Sequence, residues 1–226
     1  MNDDVIKHLV EKQANKWLKQ NPLMLDSKEK QNFLIGLNNY LENEVEAVDD
    51  EVFDFLVQSK LIKNKPREET FLNYLISKHG SLKNKNILDV GAGRICSLSK
   101  GLSEVGGRVT AIDTNIRLSN EELRKLKIAS IKKLFWCDEY SKNGIGTNIE
   151  KFDLVVGLEP CDATEHIIRQ SLKYDKPFDV YLCGAPHKGL NGENFSTYKD
   201  WYNHLESISN DVLIIEHDGG FIATNN

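Results

Sequence analysis

The sequence predicts an α/β protein built on a doubly wound, mostly parallel, seven-stranded sheet with a terminal antiparallel hairpin, preceded by an N-terminal helical extension. Three observations carry this. From residue 66 onward, short apolar runs of strand length alternate with amphipathic helical stretches, the pattern of a parallel sheet covered on both faces. Residues 1–65 show helical periodicity and no strand pattern, which divides the chain into an extension (1–65) and a sheet domain (66–226). Two last short runs flank His217-Asp218-Gly219-Gly220, a turn sequence suited to a hairpin.

The elements follow in order. Val5, Ile6, Leu9, Val10, Ala14, Trp17 and Leu18 recur at helical spacing, and Asn21-Pro22 ends that run. Phe33, Leu34, Leu37, Tyr40 and Leu41 form a second stripe with Asp26 or Ser27 as N-cap, and Val52, Phe53, Leu56 and Val57 a third. The acid-rich stretch between Glu42 and Asp54 reads as a solvated face. Pro66 opens a helix bearing Phe71, Leu72, Leu75 and Ile76 and closed by Gly80. Strand one is Asn86–Val90, with a helix to Glu104 after it; strand two is Arg108–Ile112. Ser119 and Glu122 form a capping box. Strand three is expected at Lys133–Cys137 and strand four at Phe152–Leu158. Asp162 and Glu165 read as the capping box of a helix through Leu172, followed by strand five at Phe178–Cys183 and a helix over Thr197–Ile208. Val212–Glu216 and Phe221–Thr224 complete the sheet.

Composition narrows the function. The chain has 226 residues, 40% hydrophobic and 28% charged, with a net charge of -5. That whole surplus lies in residues 1–60, and the remainder is formally neutral. An acidic chain is a poor general binder of phosphate backbones, so DNA is not expected as a partner. The opening residues, Met1-Asn2-Asp3-Asp4, lack the basic start of a signal peptide, and no apolar run approaches the ~18 residues of a membrane span. Four cysteines without close pairing then read as reduced thiols in a cytoplasmic protein.

In doubly wound sheets ligands bind at the carboxyl ends of the strands. Strand one ends there in Asp89-Val90-Gly91-Ala92-Gly93, and Asp113 closes strand two. A glycine turn between strand and helix, with an acid about 20 residues on, is a nucleoside-binding pattern in which the acid accepts the ribose hydroxyls. Asp89 would oppose a pyrophosphate but suits a cationic ligand, and the third glycine of a dinucleotide site is missing, since Gly93 is followed by Arg94, Ile95 and Cys96. Here the sequence resembles the class I S-adenosylmethionine-dependent methyltransferases, which have a Rossmann-like fold and an acid-x-Gly-x-Gly first motif. The resemblance implies that Asp89, Gly91 and Gly93 hold the methionine part of S-adenosyl-L-methionine and Asp113 its ribose. Thr114 or Asn115 would flank the adenine, and Asp138 would meet its amino group.

The same resemblance places the residues after strand four against the methyl group and its acceptor. Glu159-Pro160-Cys161 matches the first two positions of the Asp/Asn-Pro-Pro-Tyr motif of amino-group methyltransferases. Glu159 is the candidate for positioning the acceptor or taking its proton, with Pro160 and Cys161 beside it. His187 and Lys188, beyond strand five, are expected over the acceptor edge, His187 as base or substrate contact and Lys188 as an attractor of anions. Tyr198, Trp201 and Tyr202 offer either core packing or an aromatic wall.

Cys96, Cys161, Cys183 and His187 fall just past strand ends and are the set from which a metal could be assembled, although their spacing matches no known metal signature and none is expected. The reading is thus a methyltransferase acting on an unidentified acceptor, a small molecule or RNA. A non-catalytic S-adenosylmethionine-binding module working through the helical extension is the alternative, and a nicotinamide-dependent oxidoreductase the third. A homodimer through the N-terminal helices is open to it.

Overall fold

A computed structural model describes residues 3–20, 27–43, 55, 67–140, 148–185 and 187–225. They fall into two compact units, Met1–Pro66 and Arg67–Asn226. In the first, α1 (Asp3–Gln20) and α2 (Ser27–Asn43) bury Val10, Ala14, Trp17, Leu18, Phe33 and Leu37 together with Phe55. Trp17 stacks on Phe33 with ring centroids 5.5 Å apart, and Phe55 meets both edge-on at 5.7 Å. The Asp26 cap, all four residues of the third apolar stripe and nearly all of the acid-rich stretch lie outside the described residues.

The second unit runs α3 (Arg67–His79), β1 (Asn86–Val90), α4 (Ser97–Glu104), β2 (Arg108–Ile112), α5 (Asn120–Lys125), β3 (Ile128–Ile131), β4 (Leu154–Leu158), α6 (Thr164–Lys173), β5 (Phe178–Leu182), α7 (Tyr198–Ser207), β6 (Val212–His217) and β7 (Gly220–Asn225). Seven strands lie in the order β3-β2-β1-β4-β5-β7-β6. β1 through β5 pair in parallel, while β7 is antiparallel to both β5 and β6. Alternation along β1 sends Leu88 and Val90 into one core, with Ile167 and Ile168 of α6 and Trp201, Tyr202 and Leu205 of α7. Ile87 faces the other core, with Phe71, Tyr74 and Leu75 of α3 and Leu98 and Leu102 of α4. No described helix is long and apolar enough to cross a membrane.

Strand four starts two residues late, at Leu154, strand five ends at Leu182, and two expectations fail outright. Strand three is Ile128–Ile131, paired with β2 through Val109↔Ile128 to Ile112↔Ile131, and Lys133–Cys137 is a loop. That loop's apolar residues are spent differently: Phe135 is buried, Leu134 is 54% exposed, and Trp136 packs edge-on to His166. Asp162 is not the N-cap of α6. It sits in a single 3-10 turn, Cys161–Ala163, and the helix starts after Ala163 with no side-chain cap. Its expected box partner, Glu165, is instead buried, paired with Arg169 at 2.7 Å and accepting the Leu190 amide at 2.9 Å. Burial works to raise the Glu165 carboxyl, and the Leu190 amide and Arg169 outweigh it. The capping box of Ser119 and Glu122 forms as expected.

Candidate active site

The strand order reverses between β1 and β4, and the residues singled out by the sequence gather at the carboxyl ends of the strands around that point. Gly91 and Gly93 both adopt φ +70, a left-handed conformation that costs an L side chain energy. A Cβ on Gly91 would lie 2.8 Å from Pro160 Cβ and 2.9 Å from its Cα, so the turn after β1 rests directly on the residue after β4. At Gly93 the same test meets nothing within 4 Å, leaving its backbone open to a ligand.

Asp113 binds this turn to the end of β2. Its Oδ2 accepts the Gly93 amide at 3.0 Å and its Oδ1 the Asn115 amide at 2.7 Å. Each carboxylate oxygen keeps a second lone pair for an incoming hydroxyl. Asp89 lies behind the turn, fully buried. The Ser99 hydroxyl donates to its Oδ2 at 2.5 Å, while Oδ1 has no hydrogen bond of normal geometry. Burial pushes the Asp89 carboxyl up to about 7; the nearby Asp113 charge adds to this, and Ser99 works against it.

A cavity of about 200 Å³ is walled by Gly91, Asp113 and Thr114 on one side and by Pro160, Cys161 and Asp162 on the other, with Lys133, Leu134 and Phe135 over it. Asp138 is not on this wall. Its carboxylate is turned onto α6, where Lys173 at 2.7 Å, Gln170 at 3.2 Å and Tyr174 at 2.9 Å surround it, and Lys173 above all keeps it below the usual carboxylate range. A larger cavity, about 560 Å³, lies at the amino ends of the strands around Asn86, Arg108 and Lys151, away from the glycine turn. Strand-end chemistry, not volume, identifies the site.

A second cavity of about 260 Å³ is lined by Arg67, Glu159, Tyr181, Leu182, Gly184, Tyr198, Tyr202 and Gly219–Phe221. Arg67 Nη1 donates to both oxygens of Glu159, at 2.7 and 2.8 Å. Glu159 and Cys161 both hold positive φ, 49° and 47°, the kind of backbone strain that concentrates at functional sites. Of the three aromatics on α7, Tyr198 and Tyr202 face this cavity, whereas Trp201 is buried against His187, Phe195 and His204. Lys188 is exposed and forms a β-bridge with Asn194. His187 turns back onto β5, its Nε2 2.7 Å from Cys183 Sγ. A hydrogen bond from Cys161, reinforced by His187, pulls the Cys183 thiol down, and that partner in turn raises His187. Arg67 and Tyr181 carry no signal in the sequence as site residues: one is a helix-start base, the other one apolar-patterned strand residue among several.

No family model matches the sequence, and no curated protein does. Solved structures match in shape. A protein from Methanococcus maripaludis described as an S-adenosyl-L-methionine-dependent methyltransferase is 17% identical, with a TM-score of 0.52, over 78% of this chain and 90% of that one. The chain has the class I methyltransferase fold. Magnesium protoporphyrin IX methyltransferase from Synechocystis PCC 6803 is 14% identical, with a TM-score of 0.48 over 85% of this chain and 99% of that one. A SAM-dependent methyltransferase from Aquifex aeolicus is 18% identical, with a TM-score of 0.47 over 74% and 95%.

Proposed function

We propose that this chain is an S-adenosyl-L-methionine-dependent methyltransferase that uses the Asp113 cavity for the cofactor and the Arg67–Glu159 cavity for the acceptor. One observation carries the reading: Asp113 accepts the Gly93 amide at the switch point, in a cavity that Pro160 and Cys161 also line, while Glu159, the residue before them, lines a second cavity. The residues fit the cofactor. Asp89 is a carboxyl without a partner on one oxygen, lying behind a glycine turn open to solvent, and favours a cation there. Asp113 accepts from the ribose hydroxyls and Thr114 flanks the base. When bound, the cofactor supplies a methyl group already activated on a sulfonium, so the protein's task is alignment and proton removal.

Pro160 and Cys161 line the cofactor cavity, and Glu159, adjacent to them in the chain, lines the acceptor cavity. Glu159, oriented by Arg67, takes the proton that the acceptor loses as it gains the methyl group. Tyr181, Tyr198 and Tyr202 suit a compact ring-bearing acceptor, either a free small molecule or an RNA base. The free cysteines suit a reducing compartment, the cytoplasm.

Calorimetric titration with S-adenosylhomocysteine tests the cofactor site. Asp113→Ala should weaken binding by about 10- to 100-fold, as loss of charge-assisted hydrogen bonds predicts. Absence of wild-type binding, or affinity unchanged in the variant, would falsify the reading. Incubation with labelled S-adenosylmethionine and fractionated cell extract then shows whether label enters small molecules or RNA. Cofactor binding with no transfer to either fraction would favour a binding module, a second reading supported by the engagement of both Glu159 oxygens with Arg67.

A further inference from the structure

At the end of β5 a cysteine and a histidine meet a second cysteine from the end of β4. Parallel pairing of the two strands sets Leu158 opposite Tyr181, so three further residues bring Cys161, and two bring Cys183, to the same edge. The chain then turns through Gly184 and Ala185, and the Phe195 amide bonds back to the His187 carbonyl at 3.3 Å, anchoring His187 beside them. The two sulfurs and one imidazole nitrogen all lie within 4.8 Å of one another.

We propose that Cys161, Cys183 and His187 form a three-ligand site for a divalent transition metal of the zinc class. Two soft sulfur donors and an imidazole are the donor set that such ions select over calcium or magnesium. The histidine is presented correctly for this. Its Nε2 meets Cys183 Sγ at 2.7 Å, and its Nδ1 lies 3.8 Å from the exposed Asp162 carboxylate, a small side-chain rotation short of the outer hydrogen bond that ligating histidines use to fix ring and tautomer. Packing on Trp201, with ring centroids 5.6 Å apart, holds the imidazole plane. Metal entry replaces the direct sulfur–nitrogen contact: ligand bonds of about 2.3 and 2.0 Å in a tetrahedron set those atoms roughly 3.6 Å apart, reached by side-chain rotation. Cys161 is exposed and gives the ion a path in. Cys96 takes no part; it is buried and its thiol points to the Gly93 carbonyl at 3.8 Å.

Three protein ligands leave one coordination position open, as in catalytic rather than structural sites. Cys161 lines the cofactor cavity, so the open position borders that cavity. His187 is then a ligand and not a base. The site stands without the methyltransferase reading, because metal binding can be measured with no cofactor present.

The test is titration of the full chain, reduced and metal-free, with cobalt(II) and then zinc(II). We expect one equivalent of cobalt to give a thiolate-to-metal charge-transfer band that zinc abolishes. Cys183→Ser and the exposed-site variant Cys161→Ser should each lose the band and weaken zinc binding roughly a hundredfold, while Asp162→Asn weakens it about tenfold. Cys137→Ser, which alters the other cysteine–histidine contact among the described residues, should keep the band. Absence of the band in reduced wild-type protein, or a band that survives Cys161→Ser or Cys183→Ser, overturns the proposal.

Discussion

Asp89 and Asp113 sit at the ends of neighbouring strands, yet their surroundings give them different behaviour. Asp113 is held by two backbone amides, whereas Asp89 is enclosed and its carboxyl is pushed from the ordinary 3.8 up to about 7. The folded protein therefore holds a proton that the unfolded chain has released. The contribution of Asp89 to stability falls as pH rises from about 4 to about 7. A cationic ligand at the turn favours the ionised form, so its binding expels that proton. Affinity for S-adenosylhomocysteine should then rise with pH up to about 7 and level off above it, by up to tenfold per unit for one proton. Asp89→Asn should flatten this dependence in calorimetry. At pH 8 it should raise the thermal midpoint while weakening the ligand. A second comparison separates the two glycines. Gly91→Ala must displace Pro160 as well as strain the backbone, whereas Gly93→Ala costs only the left-handed conformation, about 1–2 kcal/mol. Urea unfolding should rank Gly91→Ala as the more damaging, and both should lose cofactor affinity. These acids and glycines could be read from the sequence because a short local pattern carries them. Arg67 could not, because its bond to Glu159 joins residues 92 positions apart.

Elements were legible where their signal was both local and strong. β1, β2 and α4 fall at the expected residues, since an apolar run between turn formers has one good interpretation. Strand three does not, and the reason is physical. Ile128–Ile131 is a short edge strand, half exposed, with little hydrophobic pattern, while the apolar Leu134–Cys137 run is consumed by a loop packed over α6. The 3-10 turn after β4 was equally hidden, because Asp162-Ala163-Thr164-Glu165 has the composition of a capping box but Glu165 is drawn into a buried pair with Arg169. At the hairpin, Gly220 is required by a neighbour: an added Cβ would overlap the Tyr181 hydroxyl and ring. Gly220→Ala should force β7 and Tyr181 apart, lowering the thermal midpoint and impairing methyl transfer through KM for the acceptor. Cofactor affinity, set by the separate Asp113 cavity, should hold. An equal loss of cofactor binding would sink this assignment of the two cavities.

At the scale of the second unit, Asp179 joins helix to sheet. It is fully buried on β5 and bonded by Tyr74 at 3.0 Å, Lys78 at 3.0 Å and His79 at 2.6 Å from α3, and by Thr224 at 2.6 Å from β7. Removing its charge leaves Lys78 without its buried partner. Asp179→Asn should cost about 2–4 kcal/mol, measured by denaturant midpoint, without altering the pH dependence of cofactor binding. The overall doubly wound plan was readable because every helix and strand contributes to one alternating pattern. A network of this kind, assembled from residues about a hundred positions apart, was not. The inserted position of β7 has its own consequence for how the molecule comes into being. β6 has no strand neighbour except β7, and β7 closes onto β5 only after β6 has been passed. β6 and β7 pair across a local turn and β7 reaches β5 over 39 to 45 residues, so the hairpin can add to the sheet as one unit. The acceptor cavity's wall at Gly219–Phe221 thus arrives with a short-range element, whereas β1 and β4 meet across 67 residues, and the slow, long-range step of folding falls beside the glycine turn itself.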